Sequence, residues 1–290
     1  MVKDTFFTKK RLLNLRGKII DLTIPKVMGI LNVTPDSFYD GGMWDKPDQM
    51  KKRVNDLLTE GADIIDVGAF SSRPGANMVS EDEELQRLDS ALGILRKEFP
   101  DAILSVDTCR AKVARIVCST YNVEIINDIS GGTLDPEMAE TIASLQVPYI
   151  MMHMPGNPAT MQSMTDYENV VREIIEFLGG QSKYFRSLGI KDIIVDPGFG
   201  FGKTLEQNYR LLYHLDEFRM LEQPILVGLS RKSMIYRLLN ITPGEALTGT
   251  TALHMMALER GADILRVHDV KEAKQTIQLF LKAREEGNKQ

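Results

Sequence analysis

Short aliphatic runs recur along this chain. Each ends in one polar residue and a loop rich in glycine or proline, and segments of helical length separate them. The sharpest instance is Asp192–Thr204, D-I-I-V-D-P-G-F-G-F-G-K-T. Ile193–Val195 reads as a strand buried on both faces, since an apolar run bounded by turn residues shows no polar side to water. The strand ends at Asp196. Packing alone does not explain a carboxylate there, although Asp also favours the cap of a following helix. The glycines form no standard phosphate cradle. A phosphate loop needs four residues between its first glycine and Gly-Lys-Ser/Thr, whereas Gly198 and Gly202 enclose three. The G-x-G-x-x-G spacing fails too, because the glycines fall at Gly198, Gly200 and Gly202.

In chain order, residues 1–10 read as a loose arm, and 11–25 as a hairpin around Arg16-Gly17-Lys18 that ends at Pro25. Strands are then predicted at Val27–Leu31 before Asn32, at Ile64–Gly68 around Asp66, and at Ala102–Val106 before Asp107. Further strands are Val123–Ile126 before Asn127, Pro148–Met152 before His153, and the Asp196 strand. The last two are Pro224–Gly228, followed by Ser230-Arg231-Lys232 at a helix start, and Ile264–Val267, with Arg266 and His268. Helices are predicted at 47–60, after a capping-box pattern at Ser80-Glu81-Asp82-Glu83, and at 110–119 with both cysteines. Others follow from Asp135-Pro136, with Pro136 at the favoured first position, and at 167–188, 205–220, 245–260 and 270–286. Alternating strands and helices predict a parallel sheet. Eight such units over roughly 250 residues fit a closed (β/α)8 barrel, an α/β fold here preceded by a β-hairpin, as one domain over 1–290. An open doubly wound sheet is the alternative.

Composition narrows the partners. The chain is 43% hydrophobic and 26% charged, which is ordinary for a globular protein. A net charge of −5 argues against general nucleic-acid binding. Cys109 and Cys118 provide neither a disulfide framework nor zinc spacing, and read as reduced thiols of a cytoplasmic protein. No apolar run approaches the roughly 20 residues of a membrane span, and no leader pattern is evident.

In a barrel, the C-terminal strand ends share one mouth, where active sites sit. Asn32, Asp66, Asp107, Asn127, His153, Asp196, Lys232, Arg266 and His268 would face it together. Carboxylates and amides suit a flat heterocycle rich in N–H donors. Arg266 and His268, with the helix start after Ser230, suit an anion. Asn32 with phosphate oxygens could complete a Mg²⁺ shell.

Several motifs in order now add a resemblance. They are M-G-I-L-N-V-T-P-D-S-F at 28–38, I-D-V-G then S-R-P-G-A at 72–76, and S-V-D-T at 105–108. They continue as I-N-D-I-S-G-G at 126–132, M-H-M at 152–154, D-P-G-F-G-F-G-K at 196–203, G-L-S-R-K-S at 228–233 and R-V-H-D-V at 266–270. Over about 25–285 the chain resembles the dihydropteroate synthase family of the folate pathway. The resemblance implies that a dihydropterin carrying a hydroxymethyl diphosphate condenses with 4-aminobenzoate, giving dihydropteroate and diphosphate. It implies a pterin site of Asp107, Asn127, Met152, Asp196 and Lys232, with Arg266 against the ring. Asn32 and His268 would join Arg266 on the diphosphate, and Asn32 would ligate Mg²⁺. Ser72, Arg73, Pro74, Phe201 and Ser230 would hold 4-aminobenzoate, while Asp36, Phe38 and Asp40 would come from a covering loop. Asp40, Lys232, Asp107 and Asp196 are the expected catalytic set. The resemblance also implies a homodimer through late helices.

The second loop departs from the family's usual Gly-Glu-Ser-Thr-Arg-Pro. It reads Ala69-Phe70-Ser71-Ser72-Arg73-Pro74, and Pro155 follows Met154 where Gln is frequent. A pterin-binding methyltransferase, a Schiff-base aldolase using Lys232, and a silent pterin-binding scaffold are the rival readings. His214 and His254 read as packing or surface residues, His153 as pocket support, Trp44 as cover or surface, and Met255-Met256 as core or subunit interface.

Overall fold

A computed structural model describes residues 9–33, 47–70, 79–287 and 289. Leu12–Leu15 (β1) and Lys18–Asp21 (β2) pair as an antiparallel hairpin, with Leu13 opposite Ile20. Its two-residue turn holds Arg16 at φ 53° and Gly17 at φ 95°. Positive φ at both positions gives the turn whose twist matches the strands it joins.

The remaining elements alternate. They are β3 (Lys26–Asn32), α1 (Pro47–Thr59), β4 (Ile64–Gly68), α2 (Glu81–Glu98), β5 (Leu104–Asp107) and α3 (Ala111–Tyr121). Then come β6 (Ile125–Asp128), α4 (Met138–Leu145), β7 (Tyr149–Met152), α5 (Val170–Ser187), β8 (Ile193–Asp196) and α6 (Leu205–Tyr213). The last are β9 (Leu226–Val227), α7 (Ser233–Leu239), α8 (Leu247–Glu259), β10 (Ile264–Val267) and α9 (Val270–Gly287). The parallel strands hydrogen-bond in the order β8-β7-β6-β5-β4-β3-β10-β9. The two ends of that order meet. Val195 bridges Ile225, and the Val195 amide donates to the Pro224 carbonyl at 2.9 Å. The sheet thus comes round into the expected barrel, which excludes the open doubly wound alternative.

Two apolar layers hold it. Alternate strand residues such as Val27, Ile65, Val67, Val106, Ile126 and Val195 pack outward under the helices. Met28, Ile64, Ile125, Ile150, Ile194, Leu226 and Ile264 form a separate cluster with Leu13, Leu15, Ile20 and Leu22 of the hairpin segment. The hairpin therefore plugs one end of the barrel lumen. Polar ties fix it there: Arg16 donates to the carbonyls of Val123 and Cys118, and Lys10 pairs with Asp192 at 2.7 Å. Among the described residues, no helix is long and apolar enough to cross a membrane.

Four expectations shift locally. Cys109 lies before α3, not within it, so the helix carries only Cys118. Asp135-Pro136 does not open α4. The Asp135 carboxylate instead accepts from the Ala111 amide at 2.7 Å and from Glu137 at 3.0 Å, and the helix begins at Met138. The helix expected over 205–220 splits at His214, beyond which Leu215–Leu221 is 3-10. At Ser80 the hydroxyl accepts from the Glu83 amide as expected, while the Glu83 carboxylate pairs with Arg87.

Leu13 is wholly buried in the plug. Leu13→Ala should lower the unfolding free energy by about 3 kcal/mol in urea titration. A loss below about 1 kcal/mol would mean that the hairpin is not an integral part of the lumen core.

Candidate active site

Side chains two residues apart on a strand share a face. Two residues beyond the plugged layer, the inward row turns polar: Ile64 leads to Asp66, Ile125 to Asn127, Ile194 to Asp196 and Ile264 to Arg266. Arg266 organises this second layer. Its Nε donates to Asp66 Oδ2 at 2.6 Å and its Nη2 to Asp107 Oδ2 at 3.0 Å. Asn127 Nδ2 donates to the same Asp66 oxygen at 3.1 Å. Asp66, Asp107, Asn127 and Asp196 are all buried. Asp66 Oδ1 and Asp107 Oδ1 are buried with no hydrogen-bond partner among the described residues. Such unused acceptors are unfavourable unless a donor reaches them, and they are what a donor-rich ligand recognises.

The local electrostatics follow from burial. Burial pushes the Asp107 carboxyl up to about 7, against the pull of Arg266 and with help from the negative charges of Asp66, Glu84 and Asp128. Burial also raises Asp196, opposed chiefly by Lys232. Lys232 is lowered to about 8 by burial, which Asp196 partly offsets. Burial works against the Arg266 charge, but Asp66 and Asp107 outweigh it and hold the guanidinium above its ordinary value. His268 was expected to help hold an anion as a cation. Burial and the neighbouring Arg266 lower it to about 4, so in the free site it is a neutral donor.

The glycine-rich loop fixes Asp196 at one end and the Lys232 side chain at its middle. The Asp196 carboxylate accepts from the Gly198 amide at 2.7 Å. Gly198 has φ +72°, and a Cβ there would lie 2.0 Å from the His153 carbonyl oxygen. Gly200 has φ +81°, and a Cβ there would press on the Lys232 stem at 3.3 Å. Only glycine satisfies both the backbone and the space. The Lys232 ammonium donates to the Phe199 carbonyl and stands 4.7 Å from the centre of the Phe201 ring.

Around this centre, Asn32 Oδ1 and the Asp107 side chain flank Gly68, within 3.4 and 3.7 Å of where its Cβ would be. Met152 packs with Phe70, Cys109, Ile129, Met154 and Met161, with Phe201 against the cluster. The Ser230 hydroxyl accepts from the His268 amide at 3.2 Å. The helix expected just after Ser230 starts later, at Ser233, with Lys232 as its cap residue. Arg231 is held elsewhere, by a two-pronged pair with Asp269 at 2.8 Å. Asp36, Phe38, Asp40, Trp44, Ser72, Arg73 and Pro74 lie outside the described residues. Among the described residues, no group of three His, Cys, Asp or Glu side chains could hold a metal ion.

Two residues gain roles that spacing did not assign. Asp66 holds Arg266 and Asn127 together. The period-two step from Ile64 was the available signal. Lys203 is buried beneath the loop and donates to the carbonyls of Gly198 and Phe201. It closes the D-P-G-F-G-F-G-K motif, but hydrophobic patterning gives no sign that it is buried. His153 is buried edge-on to Phe177, and burial followed by Lys203 lowers it to about 2, which fits support over proton transfer. His254 is also buried, while His214 pairs with Glu217 on the surface.

The family described as "Pterin binding enzyme" matches residues 28–268. The Escherichia coli K12 dihydropteroate synthase is 44% identical over 275 residues, covering 93% of this chain and 96% of the relative. A solved Yersinia pestis dihydropteroate synthase with a sulfonamide drug complex superposes at TM-score 0.88 with 42% identity, covering 94% of this chain and 99% of that one. The Xanthomonas albilineans dihydropteroate synthase with 4-aminobenzoic acid superposes at TM-score 0.87 with 36% identity, covering 96% and 99%.

Asp66→Ala should lower unfolding stability by about 2 kcal/mol or more, because it leaves a part-buried guanidinium short of one partner. Denaturant unfolding of the ligand-free protein measures this. A loss below about 1 kcal/mol would mean that Asp107 alone suffices to hold Arg266.

Proposed function

The chain belongs to the pterin-binding enzyme family and is a transferase of folate biosynthesis with dihydropteroate synthase activity; on that premise we propose which residues perform each part of the reaction. The overall step joins the methylene carbon of a dihydropterin methyl diphosphate to the amine of 4-aminobenzoate; diphosphate leaves with the old carbon–oxygen bond pair, and the amine nitrogen releases one proton. One observation carries the assignment of the pterin site: a buried layer of Asp107, Asn127 and Asp196, with unpartnered carboxylate oxygen at Asp107. Those acceptors match the N–H edge of an aminopyrimidinone. Lys232, beside Asp196, donates to the ring carbonyl, and Met152 packs below. Arg266 is pinned by Asp66 and Asp107 and presents its guanidinium plane to the ring face.

The second substrate takes the Phe201 side of Lys232. Phe201 walls its ring and the Ser230 backbone receives its carboxylate. The relative solved with 4-aminobenzoic acid supports placing that substrate class in this barrel. The aromatic amine is a weak nucleophile, so cleavage of the carbon–oxygen bond leads. The electron-rich dihydropterin delocalises the methylene cation that forms. Arg266 and His268 stabilise departing negative charge, His268 as a neutral donor until the anion approaches. Fixed dipoles and charges of this kind lower a barrier without reorganising at the moment of reaction.

Asn32 is the Mg²⁺ ligand in this proposal. One neutral oxygen beside the Asp107 carboxylate fits a cation that keeps several waters and takes its other ligands from substrate phosphates. When bound, the ion supplies charge neutralisation on the diphosphate. We place the protein in the cytoplasm, which its two buried free thiols support, and assign it a homodimer. Exposed Leu238, Leu239, Met256 and Leu279 on α7, α8 and α9 support a late-helix interface.

The test mixes the protein with the dihydropterin diphosphate and Mg²⁺, with and without 4-aminobenzoate, and follows diphosphate and dihydropteroate. Dihydropteroate formation is expected, with Asp196→Asn and Lys232→Ala each lowering kcat/KM about a hundredfold or more. Diphosphate release without dihydropteroate would overturn the 4-aminobenzoate site. Binding of the dihydropterin should also depend on pH. Ionised Asp107 is the stronger acceptor of N–H bonds, and burial pushes its carboxyl up to about 7 in the free site. Binding therefore favours loss of a proton below that pH, and affinity falls as pH drops, by up to about tenfold per unit. Calorimetry across this range should show that slope, and Asp107→Asn should flatten it.

A further inference from the structure

Lys203 is a buried cation outside the proposed substrate contacts. It is 5% exposed, and its ammonium meets three backbone carbonyls and one imidazole nitrogen. Its Nζ lies 3.2 Å from His153 Nδ1 and 3.5 Å from the His153 carbonyl, on the segment that follows β7. It donates to the carbonyls of Gly198 at 2.8 Å and Phe201 at 2.9 Å, on the loop that follows β8. One ammonium thus ties together two loops at the barrel mouth.

The tied loop carries the groups that seat Lys232. Phe199 offers its carbonyl, Gly200 lies against the stem, and the Phe201 ring lies under the ammonium. The loop has a second anchor on α6. Asn208 accepts from the Gly200 amide at 2.7 Å and donates to the carbonyls of Lys203 and Thr204 at 3.2 and 2.7 Å. Tyr167 adds a bond to the Gly202 carbonyl at 3.1 Å. Asn208 and Tyr167 hold the loop's amide and its far end. Only Lys203, among these, binds the carbonyls on both sides of Phe199-Gly200. A buried lysine is unfavourable unless its donors are satisfied, and here carbonyl oxygens and one imidazole nitrogen satisfy them.

We infer that Lys203 is a positioning residue for the second substrate: its ammonium fixes the 198–201 loop against His153, and so sets the Phe201 ring and the Phe199 carbonyl around Lys232. The inference rests on Phe201 as the wall of the 4-aminobenzoate site. Burial lowers the Lys203 pKa to about 7, and Asp196 opposes that shift. Groups that face it are His153, Asp196 and Lys232.

The test compares Lys203→Met, which keeps the unbranched stem, with Lys203→Arg, which keeps donors. Two readouts are taken. Hydrogen exchange at the Gly198, Gly200 and Phe201 amides, each hydrogen-bonded in the loop, reports the tie without reference to activity. Steady-state kinetics report its consequence. Lys203→Met should speed loop exchange about tenfold or more and raise the KM for 4-aminobenzoate by a similar factor, with kcat changed less than about threefold. Lys203→Arg should recover part of both effects. Loop exchange as in the unaltered protein, or an unchanged KM for 4-aminobenzoate, would overturn the inference. If Lys203→Met does not fold, His153→Leu removes one acceptor of the same ammonium. A KM increase of about threefold or more then supports the inference, and an unchanged KM contradicts it. Unaltered protein that makes no dihydropteroate would instead remove the proposed function, while the exchange result would still decide whether Lys203 ties the loop.

Discussion

Arg266 lies between two buried carboxylates, and the polar layer of the barrel depends on it. Asp66 has no exposed surface, and Asp107 almost none. Unpaired charges at such depth cost several kcal/mol each. The guanidinium satisfies one oxygen of each, and Asn127 shares the Asp66 oxygen. The planar fork of arginine allows this, whereas a lysine would offer one point of charge. What remains, among the described residues, is one oxygen on each carboxylate with no hydrogen-bond partner. The pair thus supports stability through its partnered oxygens, and in the proposed function the remaining oxygen of Asp107 reads the ring.

The layer beneath makes that possible. A polar floor open to water would leave these charges solvated and loosely placed. Leu13, Leu15, Ile20 and Leu22 instead close the lumen against Met28, Ile64, Ile125, Ile150, Ile194, Leu226 and Ile264. Burial then raises Asp107 and lowers Lys232 toward neutrality. On the other side of the site, backbone does comparable work. Two glycines with positive φ let the loop pass against the His153 carbonyl and the Lys232 stem, while Lys203 and Asn208 hold it from below. Side chains fix one half of the mouth and a pinned loop fixes the other.

Much of this was legible in the sequence because a buried parallel strand leaves so few options. Ile193-Ile194-Val195 has no polar side, so Asp196 marks both a strand end and a position in the polar layer of the barrel. The same logic located Asn32, Asp107, Asn127 and Arg266. Boundaries moved where a polar side chain had a stronger competing use. Asp135 anchors the start of α3 and so does not open α4. Lys203 lies in a quoted motif, but its burial could not be read, because it results from the approach of two loops distant in sequence. The charge state of His268 was also invisible. It follows from burial beside Arg266, which only the assembled barrel brings about. The ordered motifs of the family, not periodicity, pointed to the reaction.

The central claim is that a preformed Asp66–Arg266–Asp107 layer receives the pterin. A crystal structure of the protein with the dihydropterin bound tests it most directly. The account predicts that the ring N–H edge lies within hydrogen-bond distance of Asp107, Asn127 and Asp196, with Arg266 still paired to Asp66. A ring bound elsewhere, or an Arg266 side chain released from Asp66 on binding, would contradict it.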